Sequence, residues 1–238
     1  SGLLWWALQK APLEEIVLML KQLTIAQIGI LLAINIAVIL LITIRWWLIA
    51  RAGKSNTPFL PLVWYRLSVF GLSYFTPGPQ VGGEPLQVIY LQQNHSFTYV
   101  HATSIMIMDK LIELLANFIL LTVGFWAVFR TDLLSIIESP SAAWLSGLGI
   151  LLVWPILHIS LLYWKILPVS KVLNALPFIH QKSKAVRMVT LSEKLAADFC
   201  QRHPRVLLGT IGVSILSLAG ITAEYFLMTA FLLSLIHI

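Results

Sequence analysis

The sequence predicts an all-α, polytopic membrane protein, and three observations predict it. Of 238 residues, 58% are hydrophobic and only 11% are charged, where soluble domains carry about a quarter charged residues. Several apolar runs reach the roughly 20 residues that cross a bilayer as a helix. No run shows the ~10-residue alternation of a membrane-barrel strand. Helices are then the form in which the backbone satisfies its own polar groups in hydrocarbon.

The elements follow in order. Leu3–Leu8 is an apolar scrap ending at Gln9-Lys10; it lacks the basic start and the length of a signal peptide and reads as the tail of a helix. Pro12–Leu23, with its acids in the first turn and apolar residues at helical spacing, predicts a short interfacial helix. Ile25–Ile44 predicts a spanning helix, flanked by Arg45, Arg51 and Lys54, with Trp46-Trp47 suited to the headgroup belt. Within 57–94 the apolar pattern is broken by "SYFTPGPQVGGEPLQV". Phe97–Phe129 predicts a long helix interrupted by the charged "DKLIE". A short loop, 130–143, carries Asp132 and Glu138, and Trp144–Trp164 predicts another span, kinked at Pro155. Residues 165–205 are polar and hold eight of the sixteen Lys and Arg; "SKAVRMVTLSEKLAADF" within them predicts an amphipathic surface helix. From Val206 the chain is apolar to its last residues, "SLIHI", with Glu224 inside the run. Residues 1–238 are read as a single transmembrane domain, truncated at both ends.

Charge orders the topology. The basic segments 45–56 and 165–205 belong on the cytoplasmic side, and the acid-bearing loop 130–143 on the other. Both ends of 57–96 then lie on one face of the membrane. The arms 58–75 and 83–92 enter and leave together, and the second is too short to span. The arrangement predicts a re-entrant helical hairpin around residues 58–93, with "TPGPQVGG" as its tip. Broken helices of this kind build transporter sites, since irregular backbone at membrane depth must face protein or a water-filled cavity. The competing reading makes the same stretch an ordinary exposed loop between two crossings.

Candidate functional residues cluster around this break. Pro77 opens the tip; Gly82 and Gly83 permit close backbone approach. Glu84 is either a functional carboxylate or a local cap for the helix that Pro85 begins. Asp109, Lys110 and Glu113 share one helix, with the two acids at i,i+4 and the lysine at i,i+3 from Glu113. Each charge costs about 2.5–3.5 kcal/mol at a helix centre, so the three are expected to pair and face the protein interior. The alternative is a helix longer than the membrane, with the charges near its cytoplasmic end. Arg66, amid Trp64 and Tyr65, either pairs with Glu84 or Asp109, binds a phosphate, or snorkels to the surface. Glu224 is a weaker candidate, equally a structural acid. The six histidines show no zinc spacing, one cysteine builds no metal cluster, and no nucleotide-binding motif occurs, so no metal and no cofactor are expected. The net charge of +6 fits a positive cytoplasmic surface against anionic lipid rather than nucleic acid.

The ordered set "RWWLIARAG", "FTPGPQVGGEPLQVIYL" and "MDKLIELL" resembles the flippase-like transmembrane family named after lysylphosphatidylglycerol synthase, over roughly residues 45–120. The resemblance implies Gly82-Gly83-Glu84 as the family's Gly-Gly-acid element and Asp109-Lys110 as its Asp-Arg pair, with lysine in place of arginine. Gln87 stands where the family usually has arginine. The resemblance further implies an incomplete copy, without the soluble aminoacyl-transferring domain. The function expected is binding, and movement between leaflets, of a phospholipid or lipid-linked intermediate at an inner (plasma) membrane. The lipid cavity would be lined by Arg66, Pro77, Gly82, Gly83, Glu84, Asp109, Lys110 and Glu113. Two alternatives stay open: a membrane-embedded enzyme acting on a lipid headgroup, and a non-catalytic subunit of a larger membrane assembly, with other proteins or further copies of the chain as partners.

Overall fold

The computed structural model describes residues 23–53, 56–73, 83–130, 142–175 and 183–236. Among these there are eight α-helices and no strand. They are α1 (Ile25–Ala52), α2 (Phe59–Ser73), α3 (Glu84–His95), α4 (Tyr99–Arg130), α5 (Ala142–Tyr163), α6 (Pro168–Ala175), α7 (Lys184–Arg202) and α8 (Pro204–Ile236). The helix expected at 12–23, most of the loop 130–143 and the hairpin tip lie outside the described residues. Helices α1 and α8 are long and apolar enough to cross a membrane, and Val153–Tyr163 with Pro168–Ala175 forms a third candidate broken at 95°. The chain is therefore an all-α, multi-pass membrane protein.

The chain divides into two compact units. One comprises residues up to Val38 together with Ala219 onward, and the other Ile39–Leu218. In the first, Gly220 lies so close to Val38 that a Cβ would come within 2.8 Å of its Cγ2. One turn further, Asn35 donates its side-chain amide to Glu224 at 3.1 Å. Close helix approach at a small residue, with a polar bridge beside it, is how apolar helices associate where lipid supplies no hydrophobic drive. Glu224 is thus a paired acid.

The second unit is built around α4, which packs on α3, α5 and α7. Its buried residues Ala102, Ile105, Met108 and Ile112 recur at helical spacing and meet Ile49 of α1, Leu62 of α2, Leu91 of α3 and Cys200 of α7 in one core. Beyond residue 114 the same helix exposes Leu120, Leu121, Val123 and Trp126, the pattern of a lipid-facing surface. Its 32 residues rise about 48 Å at 1.5 Å each, more than the ~30 Å hydrocarbon core. Asp109 lies in the packed half of the helix.

Three local expectations change. The first spanning helix does not stop at Ile44 but continues to Ala52, because "RWWLIARA" holds no breaker. Arg45 and Trp46 are consequently buried side chains of the core, not headgroup anchors. Trp47, the partly exposed neighbour, donates its indole N–H to the Thr57 carbonyl at 2.9 Å. Residues 165–205 are not a loop: α6 and α7 occupy most of them. Ser183 caps α7 by accepting from the Val186 N–H, and α7 buries Ala196, Phe199 and Cys200. The Glu193 carboxylate accepts from the Val169 and Ser170 N–H groups at 2.9 and 2.8 Å and from the Ser170 hydroxyl, holding the start of α6.

Candidate functional site: a buried ion network beside two short helices

Helices α2 and α3, of 15 and 12 residues, are each shorter than the ~20 that cross a bilayer. They cover the two segments expected to be the arms of a hairpin, whose tip lies outside the described residues. Gly83 precedes α3 with ordinary helical backbone (φ −91°), and Pro85 stands in the first turn, where its missing N–H leaves no bond unmade. A Cβ on Gly83 would collide with Val69 of α2. The room this glycine leaves is therefore filled by the neighbouring arm. Pro77 and Gly82 lie outside the described residues, as does the side chain of Glu84. The far end of α3 closes with Ser96 in the left-handed region (φ 56°), its N–H and that of Phe97 returning to the Leu91 carbonyl.

Helix α1 runs antiparallel to α4: Gly53 lies against Phe97, and Arg45 reaches Asp109. The i,i+4 spacing of Asp109 and Glu113 turns both carboxylates to α1, and Arg45 bridges them. Its Nε donates to Asp109 Oδ1 at 2.7 Å and its Nη2 to Glu113 Oε2 at 2.8 Å. Its Nη1 donates to the Ser214 hydroxyl of α8 at 3.3 Å, and that hydroxyl donates to the Thr210 carbonyl. Lys110 Nζ lies 3.4 Å from each Glu113 oxygen. Asp109 is fully buried, so charge on its carboxylate requires these partners.

Arg66 of α2 completes the group. It is 5% exposed, which settles the snorkelling alternative against it. Its Nη2 is 3.6 Å from Asp109 Oδ2, and its guanidinium lies 5.8 Å from the Trp46 ring. Tyr65 and Tyr90 stack at 3.8 Å beside Trp46, tying α2 to α3. Around this core several polar atoms make no hydrogen bond among the described residues: Arg66 Nε and Nη1, Asp109 Oδ2, Gln87 Oε1 and Trp46 Nε1. A buried polar atom left without a partner costs about 1–3 kcal/mol, and more when it is charged, and five such atoms on neighbouring helices set this region apart from an ordinary core.

Of the sequence-predicted residues, the structure brings together Arg66, Asp109, Lys110 and Glu113. It adds Arg45, Trp46 and Ser214, which sequence reasoning missed, and gives Gln87 a buried place. The signal for Arg45 was available: the eight residues after Ile44 continue the helix without a stop. Ser214 carried no signal, since one hydroxyl in an apolar helix ordinarily bonds its own backbone.

No curated protein and no solved structure matches the chain significantly. The family model of the lysylphosphatidylglycerol synthase transmembrane region matches residues 1–237. With its all-α membrane fold and its whole length covered, the chain belongs to the lysylphosphatidylglycerol synthase transmembrane family.

Proposed function

We propose that this domain binds a phospholipid or lipid-linked intermediate and passes its headgroup between leaflets, with Arg66 as the phosphate partner. One observation carries the reading: a guanidinium almost wholly buried in a membrane domain, engaged at one nitrogen by a carboxylate 3.6 Å away, with Nε and Nη1 unused. These two nitrogens face opposite sides of the planar guanidinium, so each can donate separately to an anionic oxygen. The family's tie to lipid handling supports the same reading. Arg45 then acts as the structural member, holding both acids, while Asp109 orients Arg66. In this reading the basic segments 45–56 and 165–205 favour a cytoplasmic side for this end of the bundle.

The experiment is leaflet exchange of a fluorescent phospholipid in vesicles reconstituted with the protein. Arg66→Met should slow exchange about 10- to 100-fold, the loss expected for a charge-assisted hydrogen bond of roughly 1.5–3 kcal/mol. Arg66→Lys should restore part of it, as a cation without the fork. Wild-type exchange from a folded Arg66→Met protein would overturn the proposal.

A further inference from the structure

Gln87 faces the same interior as Arg66. The inward stripe of α2 is Leu62, Arg66 and Val69, and that of α3 is Leu91, Gln87 and Gly83, each spaced by three or four residues. Leu62 and Leu91 share one core, and Val69 fills the room beside Gly83. The two helices therefore run antiparallel, and Arg66 and Gln87 stand at one level between those contacts. The stack of Tyr65 on Tyr90 agrees with this pairing. Both polar side chains are nearly sealed, Gln87 being 4% exposed.

The unmade hydrogen bonds here are of two kinds. Arg66 Nε and Nη1 and the Trp46 indole N–H lack acceptors, whereas Gln87 Oε1 and Asp109 Oδ2 lack donors among the described residues. An ionised phosphodiester answers only the first kind, because it brings acceptors alone. We infer that the headgroup taken here also carries a hydrogen-bond donor, a hydroxyl or an N–H, which Gln87 Oε1 and Asp109 Oδ2 accept while Arg66 holds the phosphate; the inference rests on the lipid-handling reading above.

Arg66 joins the two halves of this site. Its Nη2 is 3.6 Å from Asp109 Oδ2, so a phosphate on its other nitrogens sits about one guanidinium's width from that carboxylate. The Gln87 amide can turn its nitrogen inward, but an ionised carboxylate only accepts, so Asp109 fixes the demand for a donor. Depth sharpens it. By the sidedness proposed above, Asp109 lies ten residues into α4 from Tyr99, about 15 Å and so near the middle of the ~30 Å hydrocarbon core. A headgroup in transit at that depth meets no bulk water, and an acceptor it leaves bare counts against it. Sites built to hydrogen-bond a group reject the analogue that lacks it. Choline carries the charge of ethanolamine without its N–H groups, so selection here works through the missing hydrogen and not through charge. Gln87 is the specificity-determining residue.

The test extends the exchange assay to acyl-labelled phosphatidylethanolamine, its N,N-dimethyl form and phosphatidylcholine, with identical chains. All three carry a cationic nitrogen; the first two keep an N–H and the third has none. Wild-type protein should exchange the first two at similar rates and phosphatidylcholine about tenfold more slowly, the loss expected when one buried acceptor is left bare. Gln87→Leu, or Gln87→Met should the first fold poorly, should close most of that gap. Ratios are read, so a general loss of activity cancels. Steric exclusion would instead slow exchange with each added methyl, and the gap would survive in a folded Gln87 variant; either result overturns the inference. So does equal exchange of all three lipids by the wild type, which would mean that water satisfies these groups and would leave the role of Arg66 standing. Wild-type protein that exchanges none of the three sinks the lipid-handling reading as well.

Discussion

Arg45 is the residue on which the interior turns. Its guanidinium satisfies two carboxylates and a hydroxyl from two other helices. Removing one partner of a buried pair strands the other, at a cost of about 3–5 kcal/mol. Arg45→Leu should therefore destabilise the protein by about that amount, measured by thermal unfolding in detergent. Arg45→Leu with Asp109→Leu should recover part of the loss, since no lone carboxylate then remains at position 109. A double variant no better than the single one would show that Asp109 is held by other groups. Cys200 gives a second residue-scale expectation. Burial pushes its thiol up from 9.0 to about 11, and only the thiolate reacts. At pH 8 roughly one thiol in a thousand is ionised in the folded protein, so maleimide should label Cys200 only after denaturation. The thiol's contribution to stability is full below pH 9 and should be lost as pH rises through about 11. At this scale the sequence revealed Asp109, Lys110 and Glu113, because charges inside an apolar run are conspicuous. It hid Arg45, whose flanking place beside two tryptophans looks like an interface from composition alone.

At the scale of elements, helix existence was legible and helix limits were not. Apolar runs located α1, α4, α5 and α8, and the amphipathic pattern from Ser183 to Phe199 located α7. The extension of α1 was concealed because a basic residue reads as the edge of a membrane, whereas here its charge is met by α4. Pro155, where a kink was expected, lies inside the continuous helix α5. A 95° bend between Tyr163 and Pro168, where Lys165 takes a positive φ, was not anticipated. The turn joining α3 to α4 also carries a non-glycine residue in the left-handed region, Ser96. That conformation costs an L-residue about 1–2 kcal/mol and glycine little. Ser96→Gly should stabilise the protein by up to about 1 kcal/mol, because glycine's greater freedom in the unfolded chain offsets part of the gain. The check is the thermal midpoint in detergent, and an unchanged or lowered midpoint would show that the Ser96 side chain contributes more than its backbone strain removes.

For the whole molecule, the sequence gives an ordered argument about sidedness that labelling can decide. Single cysteines replacing Asn56 and Ser96 should react with an impermeant maleimide from the same side of the membrane, and one replacing Glu138 from the other. The natural Cys200, protonated in the core, should add no background. Reaction of positions 56 and 96 from opposite sides would rule out a re-entrant hairpin built from α2 and α3. The family assignment was legible before the fold because it rests on short ordered motifs between residues 45 and 120.

The span of the Arg45 network also sets an order of events during synthesis. Arg45 enters the membrane with α1, but Asp109 follows 64 residues later and Ser214 169 residues later. At about 5–20 residues per second, the guanidinium waits roughly 3–13 s for its first carboxylate. An unpaired arginine cannot rest at depth for that time, so the nascent helix must ride high, with Arg45 drawn to the headgroups, and settle inward when α4 arrives. Ribosome-bound chains arrested before Asp109 emerges should accordingly leave a cysteine at position 45 open to aqueous reagents, and chains arrested well beyond Glu113 should close it. The ion network that organises the finished interior would then be the step at which biogenesis commits α1 to its final depth.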